Sequence, residues 1–260
     1  MDSGTIARET PAEKKVYDPE TETLEDLGRG GMRLIQPRRL FRYGTDSVLL
    51  TDFAASRFYR RCVDLGAGSG VIAILLAARN AAARIDCIEY QPLHADICRR
   101  NIALNRLEDR VRLYEADLKT VHRETGCEVY DTAVSNPPYF DSEAALKSPD
   151  PRRSAARLDG GCTCSELCAA AFRLLKNGGR FSVIYPAARI VNLLGAMKEN
   201  RIAPKRIRCV QDSPEHACKL ILAEGVKNGG EGLIWEKPLY LHDPSGNETE
   251  EYKRIYGMEE

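Results

Sequence analysis

Charge of one sign is what this 260-residue chain lacks: lysine plus arginine and aspartate plus glutamate each total 38, leaving no net charge with histidine neutral. No protein-wide positive field draws it onto a long polyanion, so any nucleic-acid contact must be local. Long apolar runs are missing as well. The most apolar stretch, Val71 to Ala78, is far too short to span a bilayer. Residues 1–26 mix acidic, basic and polar side chains without the basic-then-apolar order of a signal peptide, so a cytoplasmic protein without membrane attachment is expected. His94, His122, His216 and His242 have no spacing that suggests a catalytic base or a metal site. Nine cysteines, an odd number scattered through apparent strands and helices, make a poor disulfide framework, and reduced thiols are expected. Cys162, Cys164 and Cys168 lack both the paired C-x-x-C spacing of a zinc site and a neighbouring histidine. They read as small residues opening a helix, and no metal is expected.

What is present is an ordinary globular composition, 43% hydrophobic and 29% charged, with no internal repeat. From Arg61 onward, short β-branched runs alternate with amphipathic stretches, the pattern of repeated strand-helix units and a parallel sheet. Strands are expected at 62–65, 84–89, 111–114, 130–135 and 180–185. Helices are expected at 71–79, from Pro92 to Asn105, at 165–176 ending at Asn177-Gly178-Gly179, and at 187–200. Two or three antiparallel strands should follow, at 205–210, 219–225 and 239–242. Residues 1–26 look weakly structured. Residues 27–257 form one domain, of which 27–60 are an N-terminal extension with a strand at 32–36 and a helix at 47–55.

In open α/β sheets ligands bind beyond the C-terminal ends of the strands, where strand order reverses. The first strand-to-helix turn here reads Asp64-Leu65-Gly66-Ala67-Gly68-Ser69-Gly70. A dinucleotide loop, G-x-G-x-x-G, would need glycine where Val71 stands, so the spacing argues against NAD. Asp64 offers an acceptor suited to a positively charged amino-acid tail, Glu89 can accept both hydroxyls of a ribose, and Asp117 can accept from an adenine amine. A glycine loop alone is equally an ordinary tight turn. With these acids at the ends of successive strands, residues 61–185 resemble the class I S-adenosylmethionine-dependent methyltransferases. The resemblance implies a Rossmann-like fold with a mostly parallel seven-stranded sheet and antiparallel C-terminal strands. It also implies S-adenosylmethionine as cofactor, with Asp64, Gly66, Gly68 and Gly70 bordering its methionine part, Glu89 its ribose and Asp117 its adenine.

The fourth strand runs directly into Asn136-Pro137-Pro138-Tyr139. An exocyclic amine conjugated to a ring is a poor nucleophile, and two acceptors aimed at its hydrogens favour the pyramidal, reactive geometry. Asn136 can supply a side-chain carbonyl and Pro137 a backbone carbonyl, while Tyr139 offers a face on which a flipped or unpaired base can stack. Each proline fixes its own φ and restricts the residue before it, so the carbonyls are placed before substrate arrives. In the methyltransferases that the chain resembles, this tetrapeptide marks nitrogens conjugated to a planar system: adenine, cytosine or guanine amines, or the glutamine amide of release factors.

Three segments narrow the resemblance: residues 41–50, Asn136-Pro137-Pro138-Tyr139-Phe140, and Arg152-Arg153-Ser154-Ala155-Ala156-Arg157. Together they are similar to the bacterial family of tRNA(Val) adenine-N6 methyltransferases, over residues 23–257. This implies methylation of an adenine N6 in tRNA, with Thr45, Asp46 and Asn136 near the cofactor. That family commonly has Ala-Arg-His in the loop after the motif, whereas Leu158 follows Arg157 here. Arg38, Arg39 and Arg42, interleaved with Phe41 and Tyr43, and Arg152, Arg153 and Arg157 are candidates for phosphate contacts on tRNA. Taken singly, each cluster is more often a solvated face. The alternatives are a release-factor glutamine N5-methyltransferase, an rRNA guanine N2-methyltransferase and a non-catalytic nucleic-acid-binding module. The short segment before the glycine loop speaks against the first, Tyr139 in place of phenylalanine and the absence of a duplicated domain against the second, and the intact tetrapeptide against the third.

Overall fold

The computed structural model describes residues 17–38, 44–138 and 162–258. Its first strands, β1 (Glu22–Asp26) and β2 (Arg33–Pro37), form an antiparallel hairpin, with Leu24 opposite Ile35. Residues 22–26 were expected to be weakly structured. They are ordered because polar side chains tie them down: Gln36 donates to Glu25 at 2.7 Å, and Arg100 forms an ion pair with Glu22 at 2.6 Å. Helix α1 (Thr45–Ala54) then leads into the main sheet.

That sheet has nine strands. β3 (Tyr59–Leu65), β4 (Ala82–Glu89), β5 (Val111–Glu115), β6 (Tyr130–Ser135) and β7 (Leu175–Pro186) pair in parallel, in the order β5-β4-β3-β6-β7. Beyond β7 lies β9 (Leu220–Lys227), antiparallel to β7 and to its other neighbour β8 (Ile202–Gln211). The antiparallel pairing expected near the C-terminus is therefore the work of β9. The strand expected at 239–242 is shorter and oriented otherwise: β10 (Ile234–Trp235) and β11 (Leu239–Tyr240) both pair parallel to β8. This order leaves β3, β6 and their C-terminal ends inside the sheet, and the order reverses between these two strands. A ligand crevice belongs at that point.

Helices cover both faces. α2 (Val71–Ala78) and α3 (Pro92–Leu104) join α1 on one face, over a core that includes Cys62, Ile85 and Ile184. On the other, α4 (His122–Thr125), α5 (Cys164–Leu174) and α6 (Ile190–Glu199) flank a second core with Val63, Leu65, Phe181 and Val183. Strand side chains alternate between faces, so Val63 and Leu65 of β3 go to the second core and Cys62 between them to the first. α7 (Glu250–Tyr256), capped by the Thr249 side chain, was not anticipated.

α5 starts with a capping box in which Thr163 and Glu166 satisfy each other's backbone amides. It stops at Leu174, short of the expected Lys176, because Leu175 is already extended and pairs with Tyr130. The register then jumps to Thr132 opposite Arg180, and Lys176-Asn177-Gly178-Gly179 bulge outward, anchored by an ion pair from Lys176 to Asp131 at 2.6 Å. None of the nine cysteines is in a disulfide.

Candidate functional site at the β3–β6 switch point

Two adjacent strands deliver the site. Along them Cys62 lies opposite Thr132 and Asp64 opposite Val134; one step further the Ser135 hydroxyl donates to the Leu65 carbonyl at 2.7 Å. The chain therefore leaves β3 as the glycine loop and β6 as Asn136-Pro137 side by side. Gly66, Gly68 and Gly70 hold φ of 75°, 56° and 82°, the left-handed region that L side chains rarely adopt. A Cβ on Gly70 would come within 2.8 Å of Cys98 Sγ, whereas one on Gly66 or Gly68 would meet nothing within 4 Å. The loop is packed tightly against α3 behind and is open in front.

Asp64 and Glu89 give this opening its character. Asp64 is fully buried, and neither of its carboxylate oxygens has a hydrogen-bond partner among the described residues. Burial, and then the negative charge of Glu89, push its pKa up to about 8; the nearby Ala73 amide opposes the shift without reaching hydrogen-bond geometry. An orphaned carboxyl at the base of an open glycine turn fits a ligand that brings a cationic donor. Glu89, also buried, accepts from the Gly68 amide through Oε2 and from the Gln91 amide through Oε1, both at 2.8 Å. Those bonds use one lone pair on each oxygen and orient the carboxylate toward the loop. Asp117 lies just beyond β5, where Oδ1 accepts from the Lys119 amide at 2.8 Å.

On the β6 side, Asn136 is half-buried and its Nδ2 donates to Ser47 Oγ at 3.1 Å. Ser47, buried in the first turn of α1, is adjacent to Asp46, whose Oδ1 accepts from the Ser47 amide at 3.0 Å. Thr45 opens that helix. The expected group Thr45, Asp46, Asp64, Gly66, Gly68, Gly70, Glu89 and Asn136 is thus gathered around the ends of β3, β4 and β6, with Asp117 at the end of β5. Arg38 is exposed just past the end of β2, donating to the Pro19 carbonyl at 3.2 Å. Tyr139, Arg39, Arg42, Arg152, Arg153 and Arg157 lie outside the described residues.

Two further hollows hold none of these residues. One of about 380 Å³ lies between Cys127, Phe172 and Lys227. Another of about 360 Å³ is lined by Arg79, Arg206, Arg208 and Arg254, which are ion-paired to Asp52, Glu236 and Glu251. Among the described residues no three metal-binding side chains converge.

Comparison with known proteins identifies the arrangement. Residues 42–194, more than half of the chain, match the family described as Methyltransferase small domain. The chain belongs to this family. A Porphyromonas gingivalis protein named tRNA1(Val) (adenine(37)-N6)-methyltransferase is 33% identical to this methyltransferase over 82% of this chain and 86% of that one. An Aeromonas hydrophila protein of the same name is 37% identical over 60% of this chain and 64% of its own. Among solved structures, a protein described as a predicted O-methyltransferase from Agrobacterium tumefaciens superposes with a TM-score of 0.66 at 20% identity, covering 82% of this chain and 95% of its own. That likeness concerns the fold alone. The resemblance drawn from residues 41–50 and the Asn-Pro-Pro-Tyr motif is borne out.

Two residues of the methyltransferase's site region were not anticipated. Ser47 directly follows the Gly44-Thr45-Asp46 run but looks like an ordinary helical serine. Asn101 carries a faint signal: with Asn105 it places two amides one turn apart beside the buried Cys98 and Ile102 of α3.

Proposed function

We propose that the protein transfers a methyl group from S-adenosylmethionine to the exocyclic N6 of an adenine in tRNA. One observation carries this reading: Asn136-Pro137 leaves β6 directly beside the glycine loop of β3, at the sheet's switch point, in a chain whose relatives bear the name tRNA1(Val) (adenine(37)-N6)-methyltransferase. The cofactor supplies a methyl group already activated on a sulfonium, so no metal or covalent enzyme intermediate is required and positioning remains the protein's task. Asp64 receives the amino group of the cofactor's methionine end, Glu89 its ribose hydroxyls and Asp117 its adenine amine. The Asn136 side-chain carbonyl and the Pro137 carbonyl hold the two N–H groups of the acceptor and stabilise positive charge growing on nitrogen. Ser47, by accepting from Nδ2, keeps the Asn136 carbonyl as the end presented to that amine. Tyr139 stacks on the base, and Arg38, Arg39, Arg42, Arg152, Arg153 and Arg157 contact backbone phosphates.

The reading implies a cytoplasmic enzyme with tRNA as its partner; no described helix is long and apolar enough to cross a membrane. Incubation with methyl-labelled cofactor and total tRNA, followed by digestion and mass spectrometry of the nucleosides, tests it. Labelled N6-methyladenosine is expected. Label confined to N2-methylguanosine, or no label in the tRNA nucleosides, would overturn the assignment.

A further inference from the structure

Behind the glycine loop stands a fully buried side chain, Asn101 of α3. Its Oδ1 accepts from the Ile35 amide at 2.7 Å, and its Nδ2 donates to the Ile35 carbonyl at 3.1 Å and to the Ser69 carbonyl at 2.9 Å. Backbone groups on both sides leave only one orientation of the amide. Ser69 is the residue between Gly68 and Gly70. One helical turn later Asn105 repeats the grip: it accepts from the Arg33 amide at 2.8 Å and donates to the Arg33 carbonyl at 2.7 Å. Arg33 and Ile35 are alternate residues of β2, so both face the edge that β1 leaves open. Two asparagines thus take the place of a third strand, and one of them extends the grip to the glycine loop.

We propose that Asn101 is a positioning residue for cofactor binding, and that through it the N-terminal hairpin is part of the cofactor site. Gly68 and Gly70 have wide conformational freedom of their own. With the Ser69 carbonyl tied inward, the turn between them is held in one shape before the cofactor arrives, and the ordering cost at binding falls. The Ile35 bonds fix Asn101 in turn, so hairpin docking and cofactor binding reinforce each other, and by linkage the effect runs equally in both directions. The inference rests on the reading that the glycine loop holds S-adenosylmethionine.

Calorimetric titration with S-adenosylmethionine, steady-state kinetics on tRNA and amide hydrogen exchange test it. In the wild-type protein the cofactor should slow exchange at the Arg33 and Ile35 amides. Asn101→Ala should weaken cofactor binding and raise its KM about tenfold, the size of one net hydrogen bond, with kcat at saturation kept within about twofold. Asn105→Ala, which loosens the hairpin without touching Ser69, should raise that KM by about two- to threefold. A wild-type cofactor KM in Asn101→Ala, or a fall in kcat at unchanged KM, overturns the proposal. Should Asn101→Ala fail to fold, the wild-type exchange decides: no cofactor-dependent change at Arg33 and Ile35 also overturns it. Failure of the wild-type protein to bind S-adenosylmethionine would instead refute the functional reading, so the two failures are distinct.

Discussion

Cofactor affinity should climb with pH between 6 and 8, because Asp64 must give up a proton before it can receive a cation. Burial and the charge of Glu89 hold Asp64 near pKa 8 in place of its usual 3.8. The amino group of S-adenosylmethionine favours the ionised carboxylate, and one pKa unit is worth about 1.36 kcal/mol. The apparent dissociation constant should therefore rise roughly two- to threefold from pH 8 to 7, where the amine and Asp64 titrate against each other, and about eightfold from pH 7 to 6. At pH 7 a net release of about eight-tenths of a proton is expected on binding, nine-tenths from Asp64 less the roughly one-tenth taken up by the cofactor amine, measurable by calorimetry in two buffers of different ionisation enthalpy. Above about pH 8 the cofactor's own amine loses its charge and affinity should turn down again. Without ligand, the raised pKa means that the folded protein holds this proton more tightly than the unfolded chain. The contribution of Asp64 to stability is then greatest below about pH 4 and is lost progressively as pH rises to 8. Asp64→Asn should abolish both the proton release and this loss of stability, while weakening cofactor binding at pH 8. A cofactor affinity that is flat from pH 6 to 8, with no proton released, would refute the reasoning.

Three other perturbations address separate parts of the molecule. Asn136→Ala should lower single-turnover methyl transfer by about 10²–10³-fold, as removal of a preorganised electrostatic group does, with calorimetric cofactor affinity nearly unchanged; full activity would remove Asn136 from the mechanism. Ser47→Ala deletes the acceptor that orients the Asn136 amide, a bond of about 1 kcal/mol, so kcat should fall roughly fivefold at constant cofactor KM. A shift in cofactor KM alone would assign Ser47 to the other half of the site. Glu224, fully buried on β9, is ion-paired with Arg180 and lies 3.6 Å from Arg206. Glu224→Ala strips Arg180 of its carboxylate, while Arg206 keeps Glu236, and should cost about 3 kcal/mol in urea unfolding; a change under about 1 kcal/mol would mean that Arg180 reaches solvent.

Much of this architecture could be read from residue order, for identifiable reasons. β6 spans 130–135 as expected because an apolar run there ends in two prolines, which cannot continue a ladder. α3 begins at Pro92, which suits a first helical turn. β1 was not legible, since Glu22-Thr23-Leu24-Glu25-Asp26 carries more charge than apolar surface and depends on Arg100, distant in sequence, for its anchorage. The early end of α5 was equally hidden, because Leu175 pairs with Tyr130 and that tertiary contact overrides the helix stop suggested by Gly178 and Gly179. For the site, residues that repeat at strand ends stood out, whereas Ser47 and Asn101 matter only through what they touch. Such partners lie 89 residues away for Ser47 and 66 and 32 for Asn101, beyond any local pattern.

The amide grip on β2 also bears on where this domain can be cut. The match to the Methyltransferase small domain begins at residue 42, after the hairpin has ended. Yet Asn101 and Asn105 take backbone partners from Arg33 and Ile35. A chain trimmed to the matched span would keep both amides in place and strip away the groups that satisfy them, at a cost of about 1–3 kcal/mol for each buried group left unpaired. The span of the family match and physical self-sufficiency thus have different borders in this protein, and anyone transplanting the catalytic unit should carry the hairpin with it.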